Sequence, residues 1–338
     1  MSQNKKVLVT GGLGFIGSHT VCMLVKQGYT PIIVDNLHNS FITTLNSLNE
    51  LTEQELTFYE GDCSDKSLLK NIANKEGSIE ACIHFAAHKA VGESTEKPLM
   101  YYRNNLDSLL SLLEMADDLG FKNFVFSSSC TVYGQPDSLP VAEDAPIKNA
   151  ESPYGYTKQV CERILTDFAN TSSSLHITLL RYFNPIGAHP SAKIGEWPIG
   201  TPNNLVPFIT QSAIGKRGAL KVFGNDYDTP DGTCIRDYIH VMDLADAHIL
   251  AMAHNNARNP EIFNVGTGTG STVLEVIKAF ESSTGEKLNY EMSARREGDV
   301  EKVFADPKKI KNELGWEPKY NLADAMKHAW EWEKRLNS

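Results

Sequence analysis

The chain has 338 residues, of which 41% are hydrophobic and 22% charged, and its net charge is −10. This length supports a large core and more than one domain. The acidic balance argues against nucleic acid or an anionic membrane as the main partner. No apolar run is long enough to span a bilayer, and the polar start is not typical of a signal peptide. The six scattered cysteines indicate reduced thiols in a cytoplasmic protein and predict no metal site.

The chain opens on the pattern of a dinucleotide-binding unit. A β-branched run over 7–10 leads into a glycine-rich turn, a helix, and an apolar strand that ends at Asp35. Such glycines let the backbone approach a pyrophosphate, and the helix N-terminus supplies free N–H groups. A carboxylate at this spacing binds the adenosine ribose and repels a 2′-phosphate, so the pattern predicts NAD. The glycines that fit the G-x-x-G-x-x-G register are Gly11, Gly14 and Gly17.

Strands and helices continue to alternate as far as Phe183. This alternation predicts an α/β fold with a doubly wound parallel sheet of the Rossmann type, covered by helices on both faces. Ligands of such sheets collect at the carboxyl ends of the strands. The predicted strands are 58–62, 79–85, 123–128 and 176–183, and the predicted long helices are 99–119 and 153–169.

The composition changes after Phe183. Residues 184–204 are rich in Pro, Gly and Asn, which is typical of loops. A shorter alternation follows, and we expect a smaller C-terminal α/β substrate domain over 185–338. The NAD-binding domain is expected over 1–184, and the sequence leaves open whether the segment 236–268 returns to it.

The helix predicted over 153–169 has a chemically suggestive start. Ser152 can cap it, and Pro153 suits the first helical position. Tyr154 and Lys158 are four residues apart and therefore share one helical face. An ammonium beside a phenol favours the phenolate, which is a route to a general base at neutral pH. Taken alone, the stretch is more typical of an ordinary Tyr and Lys on a solvated helix face.

Further motifs carry a family resemblance over nearly the whole chain. Together with the glycine turn and the Tyr154/Lys158 pair, they resemble the extended short-chain dehydrogenase/reductase family, and within it the enzymes that epimerise UDP-hexoses at carbon 4. The quoted stretches are 126–134 (FSSSCTVYG), 181–190 (RYFNPIGAHP), 88–94 (HKAVGES), 223–227 (FGNDY), 236–241 (RDYIHV) and 295–299 (RREGD).

The resemblance implies three catalytic residues. Tyr154 matches the base, Lys158 matches its activating partner, which also holds the nicotinamide ribose, and Ser129 matches the residue that hydrogen-bonds the reacting 4-hydroxyl. Tyr156 is not expected to be the base, because it lacks the four-residue relation to Lys158.

The resemblance also implies two ligand-binding sets, for NAD and for a UDP-sugar. In the second set, arginines would hold the diphosphate by charge-assisted hydrogen bonds. Besides Gly11, Gly14 and Gly17, the NAD set is Phe15, Ile16, Asp35, Asn36, Leu37, His38, Asn39, Ser40, Asp62, Cys63, Phe85, Ala86, Ala87, His88, Lys89, Asn104 and Phe183. The UDP-sugar set is Asn184, Asn204, Lys221, Val222, Phe223, Arg236, Tyr238, Arg296, Asp299 and Val303.

The implied activity is the interconversion of UDP-glucose and UDP-galactose through a transient 4-keto sugar and NADH. The family also implies a homodimer, in which the helices 99–119 and 153–169 of two subunits would form a four-helix bundle. Their apolar positions are equally suited to the chain's own sheet. These positions are Leu109, Leu112, Leu113, Ile164, Leu165 and Phe168.

Particular residues bear on three other possible functions. A nucleotide-sugar 4,6-dehydratase needs an Asp-Glu pair where this chain has Cys130 and Thr131, so that activity is rejected. Val303 stands where strict UDP-glucose enzymes carry a bulky tyrosine, which leaves open an activity on UDP-N-acetylhexosamines, even as the main one. A non-catalytic NAD-binding regulator would lack part of the catalytic or arginine set, and this chain has all of it.

Overall fold

The computed structural model describes residues 5–171, 174–254, 258–296 and 300–338. The chain forms two compact units. The first comprises Met1–Tyr133, Ile147–Arg181 and Ala245–Phe263, and the second comprises Gly134–Pro146, Tyr182–Leu244 and Asn264–Ser338.

Thirteen strands occur in the described residues. In chain order they are β1 (Lys6–Thr10), β2 (Thr30–Asp35), β3 (Thr57–Glu60), β4 (Ala81–His84), β5 (Asn123–Ser129), β6 (His176–Tyr182), β7 (Asn184–Ile186), β8 (Leu220–Phe223), β9 (Ile235–His240), β10 (Glu261–Val265), β11 (Gly270–Thr272), β12 (Tyr290–Ser293) and β13 (Lys302–Val303).

Twelve α-helices and one short 3₁₀ helix, Cys130–Tyr133, accompany the strands within the same described ranges. The α-helices are α1 (Phe15–Lys26), α2 (Thr43–Thr52), α3 (Lys66–Glu76), α4 (Val91–Glu96), α5 (Pro98–Glu114), α6 (Ala116–Leu119), α7 (Pro153–Ala169), α8 (Leu205–Ala213), α9 (Val241–Ala253), α10 (Val273–Thr284), α11 (Lys308–Leu314) and α12 (Leu322–Leu336).

The main sheet is a seven-stranded parallel sheet with the order β10-β6-β5-β4-β1-β2-β3. The predicted doubly wound Rossmann fold is therefore confirmed. The strand order reverses beside β1, which pairs in parallel with both β2 and β4. In open sheets of this kind, the crevice at such a reversal is where ligands bind, so the loops after β1 and β4 are placed to meet one.

The long helices pack their apolar faces into the core of the first unit. Leu109, Leu112, Leu113 and Leu165 are buried there, and Ile164 and Phe168 pack partly buried against it. These positions therefore belong to the chain's own core. The helix predicted over 99–119 is interrupted at Met115, where φ is −99° and ψ is 5°.

The second unit contains two smaller sheets. One has the order β11-β9-β13, with β7 also paired to β9, and the other joins β8 to β12. Strand β7 lies inside the stretch predicted to be loop, because its pairing with β9 decides its conformation and the local composition does not. The capping box predicted at Thr272 and Glu275 is present and starts α10.

Two features are absent from the described residues. No helix among them is long and apolar enough to cross a membrane. Within those same ranges, no group of three or more His, Cys, Asp or Glu side chains is arranged to hold a metal ion.

Candidate active site

The glycine turn between β1 and α1 forms a cradle for an anion. Gly11 has φ of +66°, and a Cβ there would lie only 2.9 Å from the backbone nitrogen of Ala86. A Cβ on Gly17 would overlap the carbonyl oxygen of Gly11. Helix α1 begins after Gly14, and its first turn has neither a side-chain cap nor an acidic residue. Its N–H groups and positive dipole end therefore suit the pyrophosphate of NAD.

A buried carboxylate lies at the end of β2, beside the glycine turn. Oδ2 of Asp35 accepts a hydrogen bond from the Leu13 N–H at 3.0 Å. Its Oδ1 accepts from the Leu37 N–H at 3.0 Å and from Ser40 Oγ at 2.7 Å. A carboxylate offers about four lone-pair sites, so one remains for a ribose hydroxyl. The geometry therefore fits the NAD ribose.

We expect Asp35→Ala to weaken NAD binding by about tenfold to a hundredfold, since a hydrogen bond to a charged group contributes roughly 1.5–3 kcal/mol. Titration of NAD into the apoprotein measures this loss. Glu60 is the matched control, because it is an exposed carboxylate paired in register with Asp35 on β3. An equal loss in Glu60→Ala would show that Asp35 has no particular role.

Asp62, after β3, is held as a carboxylate. Burial raises its pKa, but hydrogen bonds from Ser64 and from the Asn36 amide outweigh burial and lower it overall. The neighbouring Cys63 belongs to the core, and burial raises the pKa of its thiol. Only the backbone of Cys63 is therefore suited to contact a cofactor.

The loop after β4 is fixed by a residue that the sequence did not single out. Oδ1 of Asn105 accepts from the His88 N–H at 2.8 Å, and its Nδ2 donates to the His88 carbonyl at 3.1 Å. The same amide donates to Thr157 Oγ1 at 3.0 Å, which joins the loop to α7. The only signal for Asn105 in the sequence was that it follows Asn104, which is in the predicted NAD set. The Asn104 amide donates a hydrogen bond to Asn105 Oδ1.

The predicted start of α7 is confirmed. Ser152 Oγ accepts from the Gly155 N–H at 3.1 Å, and Pro153 occupies the first turn. Tyr154 is 7% exposed, whereas Tyr156 is 50% exposed. Of these two tyrosines, only Tyr154 therefore has the sheltered environment that a catalytic phenol needs.

Lys158 is a buried ammonium on the same face of α7. Its Nζ donates to the Ser127 carbonyl at 2.8 Å and lies 4.6 Å from the centre of the Phe126 ring. Burial lowers the pKa of Lys158 to about 8. The side chain is therefore still mostly protonated at pH 7, and its proton is lost only a little above that pH.

Ser129 is the last residue of β5, the strand whose Ser127 carbonyl accepts the hydrogen bond from Lys158. It is buried, and its Oγ accepts from the Thr131 N–H at 3.3 Å. Strand β5 thus carries Ser129 and, two residues earlier, the carbonyl that binds the Lys158 ammonium. The first unit brings together on β5 and α7 all three residues predicted to be catalytic.

The rest of the predicted NAD set lies in loops and helices of the first unit, with one exception. Residues 15–16 begin α1, residues 36–40 follow β2, and residues 85–89 follow β4. Asn104 lies on α5. The exception is Phe183, which is buried and belongs to the second unit.

The predicted UDP-sugar residues that the structure describes lie in the second unit, and four of them are paired in one sheet. Asn184 on β7 is in register with Tyr238 on β9, and Val303 on β13 is in register with Arg236 on β9. Residues from three distant segments therefore lie side by side.

The predicted UDP-sugar residues on β8 differ in burial. Lys221 and Phe223 are exposed, whereas Val222 is buried in the core of the second unit. Only the backbone of Val222 is therefore suited to contact a ligand. The Arg296 guanidinium lies 5.7 Å from the centre of the Phe223 ring, which places a cation beside an exposed aromatic face.

Two residues of the predicted UDP-sugar set remain, and only one of them is among the described residues. The Asn204 amide donates to Glu196 Oε1 at 2.6 Å, and Asn204 precedes α8 without capping it through its side chain. Asp299 lies outside the described residues.

Asp237 orders the sheet that carries Arg236. It is fully buried and accepts hydrogen bonds from the N–H groups of Thr267 at 2.8 Å, Gly268 at 3.1 Å and Ala305 at 3.1 Å. Burial raises its pKa, opposed by these donors. The sequence did not distinguish Asp237 from its neighbours, because a buried structural aspartate has no local signature.

Comparison with known proteins gives a consistent result. A family model described as GDP-mannose 4,6 dehydratase matches residues 8–329. UDP-glucose 4-epimerase of Bacillus subtilis is 49% identical over 328 residues, which cover 97% of this chain and 96% of the relative.

Solved structures agree with this. UDP-glucose 4-epimerase from Bifidobacterium longum, in complex with NAD⁺ and UDP, has a TM-score of 0.94 at 44% identity and covers 98% of both chains. The UDP-Glc/GlcNAc 4-epimerase from Campylobacter jejuni has a TM-score of 0.84 at 36% identity and covers 98% of this chain and 99% of its own. This chain therefore belongs to the UDP-glucose 4-epimerase family, within the extended short-chain dehydrogenase/reductases.

Proposed function

We propose that this chain interconverts UDP-glucose and UDP-galactose by inverting carbon 4 of the hexose, with Tyr154 as the base. The observation that supports this most strongly is the buried Lys158 ammonium, which is bonded to the strand that ends in Ser129 and lies one helical turn from the buried Tyr154. When bound along the glycine turn and Asp35, NAD supplies a reversible hydride acceptor for carbon 4.

The protein's own residues manage the proton of the 4-hydroxyl. Tyr154, as phenolate, takes that proton while Ser129 orients the hydroxyl by a hydrogen bond. Lys158 favours the phenolate because its buried positive charge lies one helical turn from Tyr154 and is poorly screened. After the 4-keto sugar turns over, Tyr154 returns the proton to the hydroxyl of inverted configuration.

The second unit is proposed to bind the UDP moiety. Arg236 and Arg296 suit the diphosphate, since guanidinium groups form charge-assisted and often bidentate bonds to phosphate oxygens. The exposed ring of Phe223 next to Arg296 offers an apolar face for the nucleoside. Anchoring the nucleotide leaves the hexose free to turn over.

Incubation of the purified chain with UDP-galactose, coupled to detection of UDP-glucose, tests the proposal. An epimerase gives a product of unchanged mass, whereas a dehydratase gives one that has lost water. A non-catalytic NAD-binding protein gives no product at all. Either of the last two results would refute the assignment.

A wider substrate range is a second proposal, favoured by one residue. Val303 is a buried side chain paired in register with Arg236, and valine is smaller than the tyrosine of strict UDP-glucose enzymes. The similar Campylobacter jejuni structure is named a UDP-Glc/GlcNAc 4-epimerase. We therefore propose that the chain also epimerises UDP-N-acetylglucosamine.

We expect Val303→Tyr to lose activity on UDP-N-acetylglucosamine by at least about tenfold, because the larger ring would take the space that the acetamido group needs, and forcing both groups together costs roughly 1–3 kcal/mol. Turnover of UDP-galactose should stay within about twofold, since only the acetamido group needs the space. Steady-state rates with both substrates measure the ratio, and Val303→Ala is the size control. A parent chain inactive on the N-acetylated sugar would defeat the proposal.

A homodimer in the cytoplasm is also proposed. Helices α5 and α7 leave Leu99, Leu110 and Tyr156 exposed, and Tyr156 contacts the Tyr102 ring at 6.2 Å between centroids. These residues offer a second subunit apolar contacts that the buried leucines of the same helices do not.

The cysteines support the proposed compartment. All six cysteines are free thiols, as is usual in a reducing compartment.

A further inference from the structure

A buried polar cluster centres on Glu162 of α7. Its Oε1 accepts from Ser128 Oγ at 2.6 Å and from Arg181 Nε at 2.9 Å, and its Oε2 accepts from Arg181 Nη2 at 2.6 Å. Nη1 of Arg181 donates to the Tyr133 hydroxyl at 3.0 Å. All four residues are buried, the most exposed being Glu162 at 4%.

Three members of this cluster lie within four residues of a proposed catalytic residue in the chain, and the fourth, Arg181, lies on β6. Ser128 immediately precedes Ser129, and Glu162 follows Lys158 by one turn on the same face of α7. Tyr133 ends the 3₁₀ helix that begins directly after Ser129. The carboxylate of Glu162 therefore connects the end of β5 to the helix that carries the base.

Stability alone does not explain such a cluster. Removing two charges from water is costly, and replacing a buried ion pair by apolar residues of similar volume is often neutral or stabilising. A fully satisfied buried network instead fixes one arrangement of the elements that it joins. Here those elements carry Ser129 and Lys158.

We propose that Glu162, held by Arg181 and Ser128, is a positioning residue that sets Lys158 and Tyr154 on α7 against Ser129 on β5. This proposal rests on the catalytic roles proposed above for these three residues. Glu162 itself touches no reacting atom. Its effect is on geometry, and misplacing a reacting group by about 1 Å costs up to a hundredfold in rate.

Glu162 also acts on Lys158 through its charge. Burial lowers the pKa of Lys158, while Cys161 and Glu162 raise it. The other groups facing the ammonium are His84 on β4, whose pKa is lowered to about 3 by burial and by Lys158, and the Phe126 ring on β5. His84 is therefore neutral, and loss of the Glu162 charge should let Lys158 release its proton at lower pH.

The first test removes one hydroxyl from the cluster. We expect Ser128→Ala to lower kcat about tenfold with less than about a twofold change in the KM for UDP-galactose, because alignment and not ground-state binding is lost. The matched control is Thr210→Val, since Thr210 Oγ1 donates to the buried Glu333, which pairs with Lys216 in the second unit. Thr210→Val should leave kcat within about twofold of the parent. Equal kcat values in the two variants, or a change in KM alone, would overturn the proposal.

The second test needs no catalysis. Hydrogen exchange of backbone amides over residues 127–133, in the free protein, should be faster in Ser128→Ala and in Glu162→Gln than in the parent. Thr210→Val should exchange there like the parent. Unchanged exchange in both cluster variants would contradict the positioning role, even if the enzyme proved inactive for another reason.

The third test separates charge from shape. Glu162→Gln should shift the alkaline limb of the kcat profile to lower pH, because Lys158 loses a favourable charge, and Glu162→Asp should restore its position. A profile that stays in place in Glu162→Gln would refute the electrostatic part. The parent chain, assayed beside these variants, shows independently whether the epimerase activity holds, and Tyr154→Phe shows whether the Tyr154 role holds.

Discussion

Tyr154→Phe is expected to fold like the parent, to retain NAD, and to epimerise UDP-galactose about a thousandfold more slowly, within the range for loss of a general acid–base. The substitution removes only the hydroxyl that is proposed to take the 4-hydroxyl proton. The ring itself is 7% exposed and keeps its packing. The loss should appear in kcat, because the proton moves only in the chemical step.

Tyr156→Phe is the matched control for this result. It makes the same chemical change two residues away on the same helix, at a side chain that is 50% exposed. We expect kcat within about twofold of the parent, since the substitution keeps the exposed ring with its apolar contacts and removes only a hydroxyl. Near-normal turnover in Tyr154→Phe, or equal losses in both variants, would remove Tyr154 from the mechanism.

Lys158→Met should be slower by about a hundredfold at pH 7, because an adjacent positive charge lowers an acidic pKa by roughly 1–3 units. The variant should be no less stable than the parent, since it replaces a buried ammonium by an apolar chain of similar length. Thermal unfolding and steady-state rates measure the two effects. Lys97→Met, at an exposed lysine paired with Glu93, is the control for removing a lysine charge.

The pH profile gives the sign of the Lys158 effect. Burial lowers the pKa of Lys158 to about 8, so the parent should lose activity as the pH rises through that value and the ammonium loses its proton. Lys158→Met has no such group, and its rate should keep rising with pH as the phenol ionises. A variant that retained the alkaline decline would show that the decline belongs to another group.

Local features of this chain were predictable, because their chemistry is contained in a few neighbouring residues. The glycine turn, the cap at Ser152 and the four-residue spacing of Tyr154 and Lys158 need no tertiary information. The parallel pairing of the strands in the main sheet also followed, since strands and helices alternate regularly. The position of Asp35 at the end of β2 is set by the same local pattern.

Features that depend on distant pairing were not predictable. Asn105 meets Thr157 across 52 residues, and Glu162 meets Ser128 across 34. Neither asparagine nor glutamate on a helix has a sequence pattern that distinguishes a buried network from a solvated face. The segment Gly134–Pro146 belongs to the second unit, although it lies between two stretches of the first. Its hydrogen bonds to residues 304–306 and to Asn264 join distant parts of the chain, so no local sequence pattern predicts them.

The most direct measurement uses UDP-galactose that carries deuterium at carbon 4, with the purified chain in ordinary water. We predict conversion to UDP-glucose that keeps the deuterium at carbon 4, because only the hydroxyl proton is exchanged through Tyr154 and the atom on carbon returns to the same sugar. Absence of UDP-glucose, or UDP-glucose that has lost the deuterium to water, would contradict the proposed mechanism.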